Sequence, residues 1–130
     1  MSHEKTHAKT VLIVDDAVFM RRMIRDILAN SGRFTPLAEA ANGREAVAKY
    51  DELKPDLVTM DLIMPELGGI AATREILARD PGALIVMCST MGQDTMVMES
   101  IAAGARDFIV KPFTPERVLK VLDGLPLTRS

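Results

Sequence analysis

Four places in the sequence carry residues that can do chemistry, each directly after a short apolar run. These are Asp15-Asp16, Asp61, Ser89-Thr90 and Lys111-Pro112. Singly, each has a plain structural use, since an aspartate after a strand often caps a turn and a lysine is often a solvated surface charge. Together they read differently. Three carboxylates gathered at one edge repel, and at least one stays protonated unless a cation neutralises the group. A hard divalent ion meets that need, and Mg²⁺ in particular takes oxygen ligands from one or two carboxylates plus a phosphate oxygen. The set of acids, hydroxyl and lysine therefore points to phosphate chemistry assisted by Mg²⁺.

The elements that must position these residues follow from the hydrophobic pattern. Short apolar runs at Val11 to Val14, Thr35 to Glu39, Leu57 to Met60, Leu84 to Cys88 and Phe108 to Val110 alternate with longer amphipathic segments. Four runs are apolar nearly throughout, as parallel strands covered on both faces require, and the more polar second run suits a sheet edge. Met20, Met23, Ile24, Ile27 and Leu28 recur at helical spacing and form a core stripe. A second helix opens at Asn42-Gly43-Arg44-Glu45, which has capping-box spacing, and turns Val47 and Tyr50 inward. A third runs from Gly69 to Arg79, and a fourth carries Val97, Met98 and Ile101. The fifth begins Thr114-Pro115 and carries Val118, Val121, Leu122 and Leu125. Five strand-helix units make an α/β domain with a doubly wound parallel sheet, whose ligands bind beyond the carboxyl ends of the strands. All four candidate positions fall at those ends.

Composition removes several alternatives. The 130 residues are 48% hydrophobic and 26% charged, which suits one globular domain. A net charge of −2 provides no basic field for a nucleic-acid backbone. Cys88 is the single cysteine, so no internal disulfide forms, and the expected place for its thiol is a buried strand position in a cytoplasmic protein. The apolar run Val11 to Val14 is too short for a signal-peptide core or a membrane span. His3 and His7 are spaced to share a helical face as metal ligands, but they lie in a polar stretch that reads as a solvated arm. The expected division is a flexible arm over 1–9, a domain over 10–125 and a tail over 126–130.

The stretches Val11-Leu12-Ile13-Val14-Asp15-Asp16, Asp56 to Pro65, Val86 to Gly92 and Asp107-Phe108-Ile109-Val110-Lys111-Pro112-Phe113 resemble the receiver domain of two-component response regulators. The resemblance covers Lys9 to Leu125 and is nearest to the single-domain chemotaxis regulators of the CheY type. It implies strand order 2-1-3-4-5 with five helices, the flavodoxin-like receiver fold. It implies further that Asp61 accepts a phosphoryl group, that Asp16 ligates Mg²⁺ directly and Asp15 through water, and that the Ile63 carbonyl is another protein ligand. Ser89 and Lys111 take the hydroxyl and lysine roles, Phe108 the switch aromatic, and the Lys111-Pro112 bond is expected to be cis. Ile63 and Met91 border the path of the water that hydrolyses the phosphate, so their apolar side chains imply a long-lived signal. The implied partners are a CheA-like sensor histidine kinase, a flagellar motor switch protein or other output protein, and a helper phosphatase. Nucleic acid and membrane are not expected, and the chain is expected to be a cytoplasmic monomer that catalyses only its own phosphorylation and dephosphorylation.

Two departures from the family pattern stand out. Phe108 replaces a common tyrosine, which removes a phenol oxygen while keeping a ring whose inward motion on phosphorylation would reshape the face of the fourth helix, fifth strand and fifth helix. Gly68-Gly69 stands where Asp or Asn before Gly is common, which is expected to loosen the start of the third helix. The competing readings are a receiver belonging to a methylesterase or transcription factor, a Mg²⁺-dependent phosphatase with an aspartyl nucleophile, and a flavodoxin-like nucleotide binder. The phosphatase needs a second acid where Ile63 stands, and Asp15-Asp16 would repel a nucleotide phosphate.

Overall fold

The computed structural model describes residues 8–126, so the reading of His3 and His7 and most of the arm and tail lie outside the described residues. Five strands, β1 (Lys9–Val14), β2 (Phe34–Ala40), β3 (Leu57–Met60), β4 (Ile85–Ser89) and β5 (Asp107–Val110), alternate with five helices. The helices are α1 (Val18–Ser31), α2 (Gly43–Leu53), α3 (Gly69–Arg79), α4 (Asp94–Ala102) and α5 (Pro115–Asp123). All pairings are parallel, in the order β2-β1-β3-β4-β5 that the resemblance implies.

Alternate strand residues point to opposite faces, and each face has its own core. Leu12, Val14, Val58, Met60, Ile85, Met87 and Phe108 pack with Ala46, Val47, Tyr50, Ala72 and Ile76 of α2 and α3. Val11, Ile13, Leu57, Val86, Cys88 and Ile109 pack on the other side with Ile24, Ile27 and Leu28 of α1 and Val118, Val121 and Leu122 of α5. The Met20 and Met23 stripe is core as expected, though only partly buried. Strands β2 and β5 are the two edges, and Pro36 of β2 lies beside the register shift between Val11 and Leu12, where a residue without an N–H does least harm.

Two local expectations are corrected. Met98 and Ile101 of α4 are 70% and 47% exposed, and the helix instead faces the core with Met96, Val97 and Ser100. At α2, Asn42 Oδ1 accepts from Glu45 N at 2.8 Å, but the Glu45 carboxylate reaches back to Ala41 N, one residue before the position that a capping box supplies.

The register brings the strand ends level. Val14 pairs with Met60, and Asp61 N donates to Val14 O at 3.0 Å, so Asp15 and Asp61 leave adjacent strands side by side. Ser89 pairs with Val110, and Lys111 N donates to Ser89 O at 2.9 Å, which carries the ladder one step beyond β5. The loop after β3 is held against the sheet by Gly69 N to Leu62 O at 2.8 Å and Gly43 N to Leu67 O at 3.0 Å. A Cβ on Gly69 would lie 2.0 Å from Asp61 O, so only glycine permits this approach. Gly68, the cap residue of α3, makes no side-chain capping bond, and backbone bonds of the loop do that work.

Gly69→Ala should destabilise the protein by about 1–3 kcal/mol, because backbone rather than a flexible side chain must give way. Gly124→Ala, whose Cβ would meet nothing nearer than 3.5 Å, should change stability by less than about 0.5 kcal/mol. Chemical denaturation of both variants is the measurement, and equal losses would show that the close approach at Asp61 is not a constraint.

Candidate functional site

The carboxylates of Asp15, Asp16 and Asp61 offer oxygen atoms that all lie within 4.8 Å of one another. Asp15 is 1% exposed and fully engaged: its Oδ1 accepts from Ala17 N at 2.9 Å and its Oδ2 from Lys111 Nζ at 2.6 Å. Asp61 is 8% exposed, its Oδ1 accepts from Leu62 N at 2.9 Å, and the same oxygen lies 3.6 Å from Lys111 Nζ. Asp16 is exposed. One ammonium against three carboxylates leaves two negative charges uncompensated in a partly buried group. An all-oxygen donor set with that charge fits a hard divalent cation.

The electrostatics follow from this crowding. Burial, then the neighbouring Asp15 charge, push Asp61 above its usual carboxylate value against the opposing pull of Lys111 and the Leu62 N–H. Burial disfavours the Lys111 ammonium, but the Asp15 hydrogen bond and the charges of Asp15 and Asp61 outweigh it and raise its pKa. Burial pushes the Cys88 thiol up to about 12, which keeps it an inert core residue.

Of the residues selected from sequence, the structure brings Asp15, Asp16, Asp61 and Lys111 together. Ser89 ends β4 on the strand beside β3, 2% exposed, with its Oγ accepting from Met91 N at 3.2 Å, while Thr90 points to solvent. Ile63 is 62% exposed and Met91 is half-buried against the core. The Lys111-Pro112 peptide is cis, as the resemblance implies. Phe108 is only 6% exposed and packs in the core on the α2 and α3 side of the sheet.

Sequence reasoning missed Arg21 and Glu39. Arg21 Nη1 donates to the Asp15 carbonyl at 2.5 Å and its Nε to Glu39 Oε1 at 2.8 Å, and Arg25 Nε donates to Glu39 Oε2 at 2.7 Å. Burial raises Glu39, but its hydrogen bonds to Arg21 and Arg25 prevail and hold it below the usual carboxylate range. The signal was available: Arg21 stands three residues before Ile24 and seven before Leu28, on the buried face of α1, where an arginine needs a partner.

The sequence matches the family described as response regulator receiver domain over residues 11–123. It is 60% identical over 115 residues to the chemotaxis protein CheY of Thermotoga maritima, covering 88% of this chain and 95% of that protein. It is 58% identical over 116 residues to CheY of Bacillus subtilis, covering 89% and 96%. The fold is similar to CheY in the crystal structure of a CheX-CheY-BeF3-Mg²⁺ complex from Borrelia burgdorferi, with a TM-score of 0.84 and 37% identity over 88% of this chain and 86% of that one.

A group bound to its proton more tightly in the fold than in the unfolded chain stabilises the fold fully below its ordinary pKa and loses that contribution as pH rises through the raised value. Asp61, raised above 3.8, is such a group. In the presence of a chelator, Asp61→Asn should therefore melt above wild type at neutral pH, and the gap should close as pH falls below 3.8. Melting curves at both pH values test this, and a pH-independent gap would show that ionisation of Asp61 is not its origin.

Proposed function

The chain belongs to the response regulator receiver domain family, and on that premise we propose that it is a stand-alone response regulator, phosphorylated on Asp61 by a sensor histidine kinase and acting in chemotaxis and flagellar motor control. The observation that carries this reading is Lys111 Nζ lying between the Asp15 and Asp61 carboxylates at the edge where the three acids converge. The match to nearly the whole length of single-domain chemotaxis relatives favours it over a receiver within a methylesterase or transcription factor. An aspartyl-nucleophile phosphatase is disfavoured by Ile63, which holds the position of the second acid and cannot transfer a proton.

In this reading Asp15, Asp16, Asp61 and the Ile63 carbonyl hold Mg²⁺, with Asp16 the direct ligand of the acidic pair because both Asp15 oxygens already accept hydrogen bonds. Bound there, the ion would supply positive charge to the phosphoryl oxygens as they gain it. The chain's own residues do the rest. An Asp61 oxygen attacks phosphorus, the bond from phosphorus to the donor breaks, and the donor leaves with its electron pair. Lys111 meets the incoming phosphoryl oxygens with a charge-assisted hydrogen bond, and the Ser89 hydroxyl, whose oxygen already accepts from Met91 N, donates its proton to another. Output is a surface and not a reaction: Met98, Ile101 and Val110, exposed at 70%, 47% and 49%, are apolar side chains of α4 and β5 on which a motor switch protein or other output protein can dock. Among the described residues no helix is long and apolar enough to cross a membrane, which accords with a cytoplasmic regulator.

Acetyl phosphate and Mg²⁺ should suffice to add one phosphoryl group to the wild-type chain, followed by intact-protein mass. Asp61→Asn should gain none, and a chelator should abolish the gain in wild type. Phosphorylation of Asp61→Asn at the wild-type rate would overturn the assignment.

The lifetime of the phosphoryl group rests on Ile63 and Met91. Hydrolysis needs a water in line with the Asp61 oxygen, and neither side chain can orient that water or take its proton. The Ile63→Asn, Met91→Glu double variant should therefore lose phosphate about tenfold faster than wild type after donor removal. Loss at the wild-type rate would place control of the lifetime elsewhere.

A further inference from the structure

We propose that Arg21 is a positioning residue for the metal-binding turn: clamped by Glu39, its guanidinium fixes the backbone of Asp15 and so sets the affinity of the Asp15, Asp16 and Asp61 group for Mg²⁺. The inference rests on the receiver reading given above and assigns a determinant of metal affinity that touches none of the carboxylate oxygens. The turn from residue 15 to 17 joins β1 to α1, and it carries two of the three acids. Besides the Lys111 pair with Asp15 Oδ2 and the α1 amides on Ala17 O, three bonds tie it: Asp15 N to Ala40 O at 3.0 Å, Ala17 N to Asp15 Oδ1 at 2.9 Å, and Arg21 Nη1 to Asp15 O at 2.5 Å. The first two belong to the sheet and to the turn itself. The third comes from a side chain, and that side chain is in turn fixed from outside.

Arg21 is 13% exposed, so its guanidinium cannot be left unpaired. Glu39 of β2 takes its Nε, is steadied by Arg25 one turn further along α1, and has its own carbonyl held by Lys49 of α2. The planar fork of arginine is what lets one side chain serve a carboxylate and a carbonyl together. Three carboxylates within 4.8 Å push one another apart, and a turn free to yield would carry Asp15 and Asp16 away from Asp61. Arg21 resists that movement from behind. Its charge lies on the carbonyl side of Asp15, and so it holds the turn without competing for the carboxylates as Lys111 does.

The test is Mg²⁺ titration by calorimetry or amide chemical shifts, together with acetyl phosphate kinetics as a function of Mg²⁺. Arg21→Ala should weaken Mg²⁺ binding about tenfold, the size usual for groups that orient metal ligands. Arg21→Lys should not restore it, because an ammonium keeps the charge and loses the fork. Phosphorylation of both variants should need more Mg²⁺ yet reach the wild-type rate at saturation, a split that a merely structural role would not produce. Arg33→Ala, which breaks the exposed pair with Asp123, should leave Mg²⁺ affinity unchanged. Lowered melting temperatures with Mg²⁺ affinity within about twofold of wild type would overturn the proposal. Should Arg21→Ala not fold, Glu39→Gln carries the test: weaker Mg²⁺ binding supports the clamp, and unaltered binding overturns it. A wild-type chain that binds no Mg²⁺ would instead refute the proposed Mg²⁺-assisted phosphorylation on which the inference rests.

Discussion

Mutual repulsion among three carboxylates, held together by a single lysine, is the constraint on which the rest of the structure depends. Two like charges 4 Å apart repel by about 1 kcal/mol in water and about 4 kcal/mol near a protein surface. Two of the acids are buried and one is exposed, so their repulsion is at least of the surface size. Repulsion of that size would spread a flexible loop, so each acid is fixed by backbone. Asp15 and Asp61 are fixed by the register of β1 and β3, and the loop beyond Asp61 is held by the approach of Gly69. Lys111 reaches them from β5, two strands away from β3, and closes the edge across β4. Truncating Lys111 leaves the buried Asp15 carboxylate without its cation, which costs about 3–5 kcal/mol.

The sheet lets the chemistry and the output surface occupy different parts of one small domain. Helix α5 is secured by a Thr114 cap and by Val118, Val121 and Leu122, all buried. Helix α4 is held far more lightly: it lacks a side-chain cap, and Ser100 is its one buried residue. The segment that joins it to the site is short and tied at both ends. Ser89 Oγ accepts from Met91 N, Gly92 N donates to Thr90 O at 3.0 Å, and a Cβ on Gly92 would lie 2.8 Å from the Val110 side chain. On the proposed reading, a change in the hydrogen bonding of Ser89 would pass to a helix that has no side-chain cap and one buried residue, as a switch requires. Phe108 is buried and supports β5 from within, while Met98, Ile101 and Val110 stand exposed on α4 and β5.

The strand ends were legible because burial on both faces writes strands as unbroken apolar runs, and the first polar residue after each run marks the edge. Asp15, Asp61, Ser89 and Lys111 were each found that way. Helix α4 was misread because Val97, Met98 and Ile101 have helical spacing, and spacing alone cannot say which of two apolar stripes meets the core. Here Met96 and Val97 do so, and Met98 and Ile101 form part of an exposed face. Pairings across the fold were not legible at all. That Lys111 meets Asp15 more closely than Asp61, or that Glu39 holds Arg21, depends on side chains from separate elements meeting in three dimensions. Only the placement of Arg21 on a buried helix face hinted that a partner existed.

The asymmetry at Lys111 gives the site an order of events. Its ammonium lies 2.6 Å from Asp15 and 3.6 Å from Asp61, so it compensates most closely the acid that is not the proposed acceptor. A hydrogen-bonded ammonium in a partly buried site cannot move to a new anion while its present one is left uncompensated. On the proposed reading, a cation held by Asp15 and Asp16 would share their charge, weaken that hold and leave Lys111 free to turn toward Asp61. A phosphoryl group then brings roughly two negative charges to the place Lys111 can now reach. Cation first and phosphoryl second is thus the sequence the charges favour, and a lysine committed to the wrong carboxylate acts as a latch. On that reading the proposed acceptor would stay crowded and undercompensated without the ion, and the latch would open once the ion that assists the chemistry is in place.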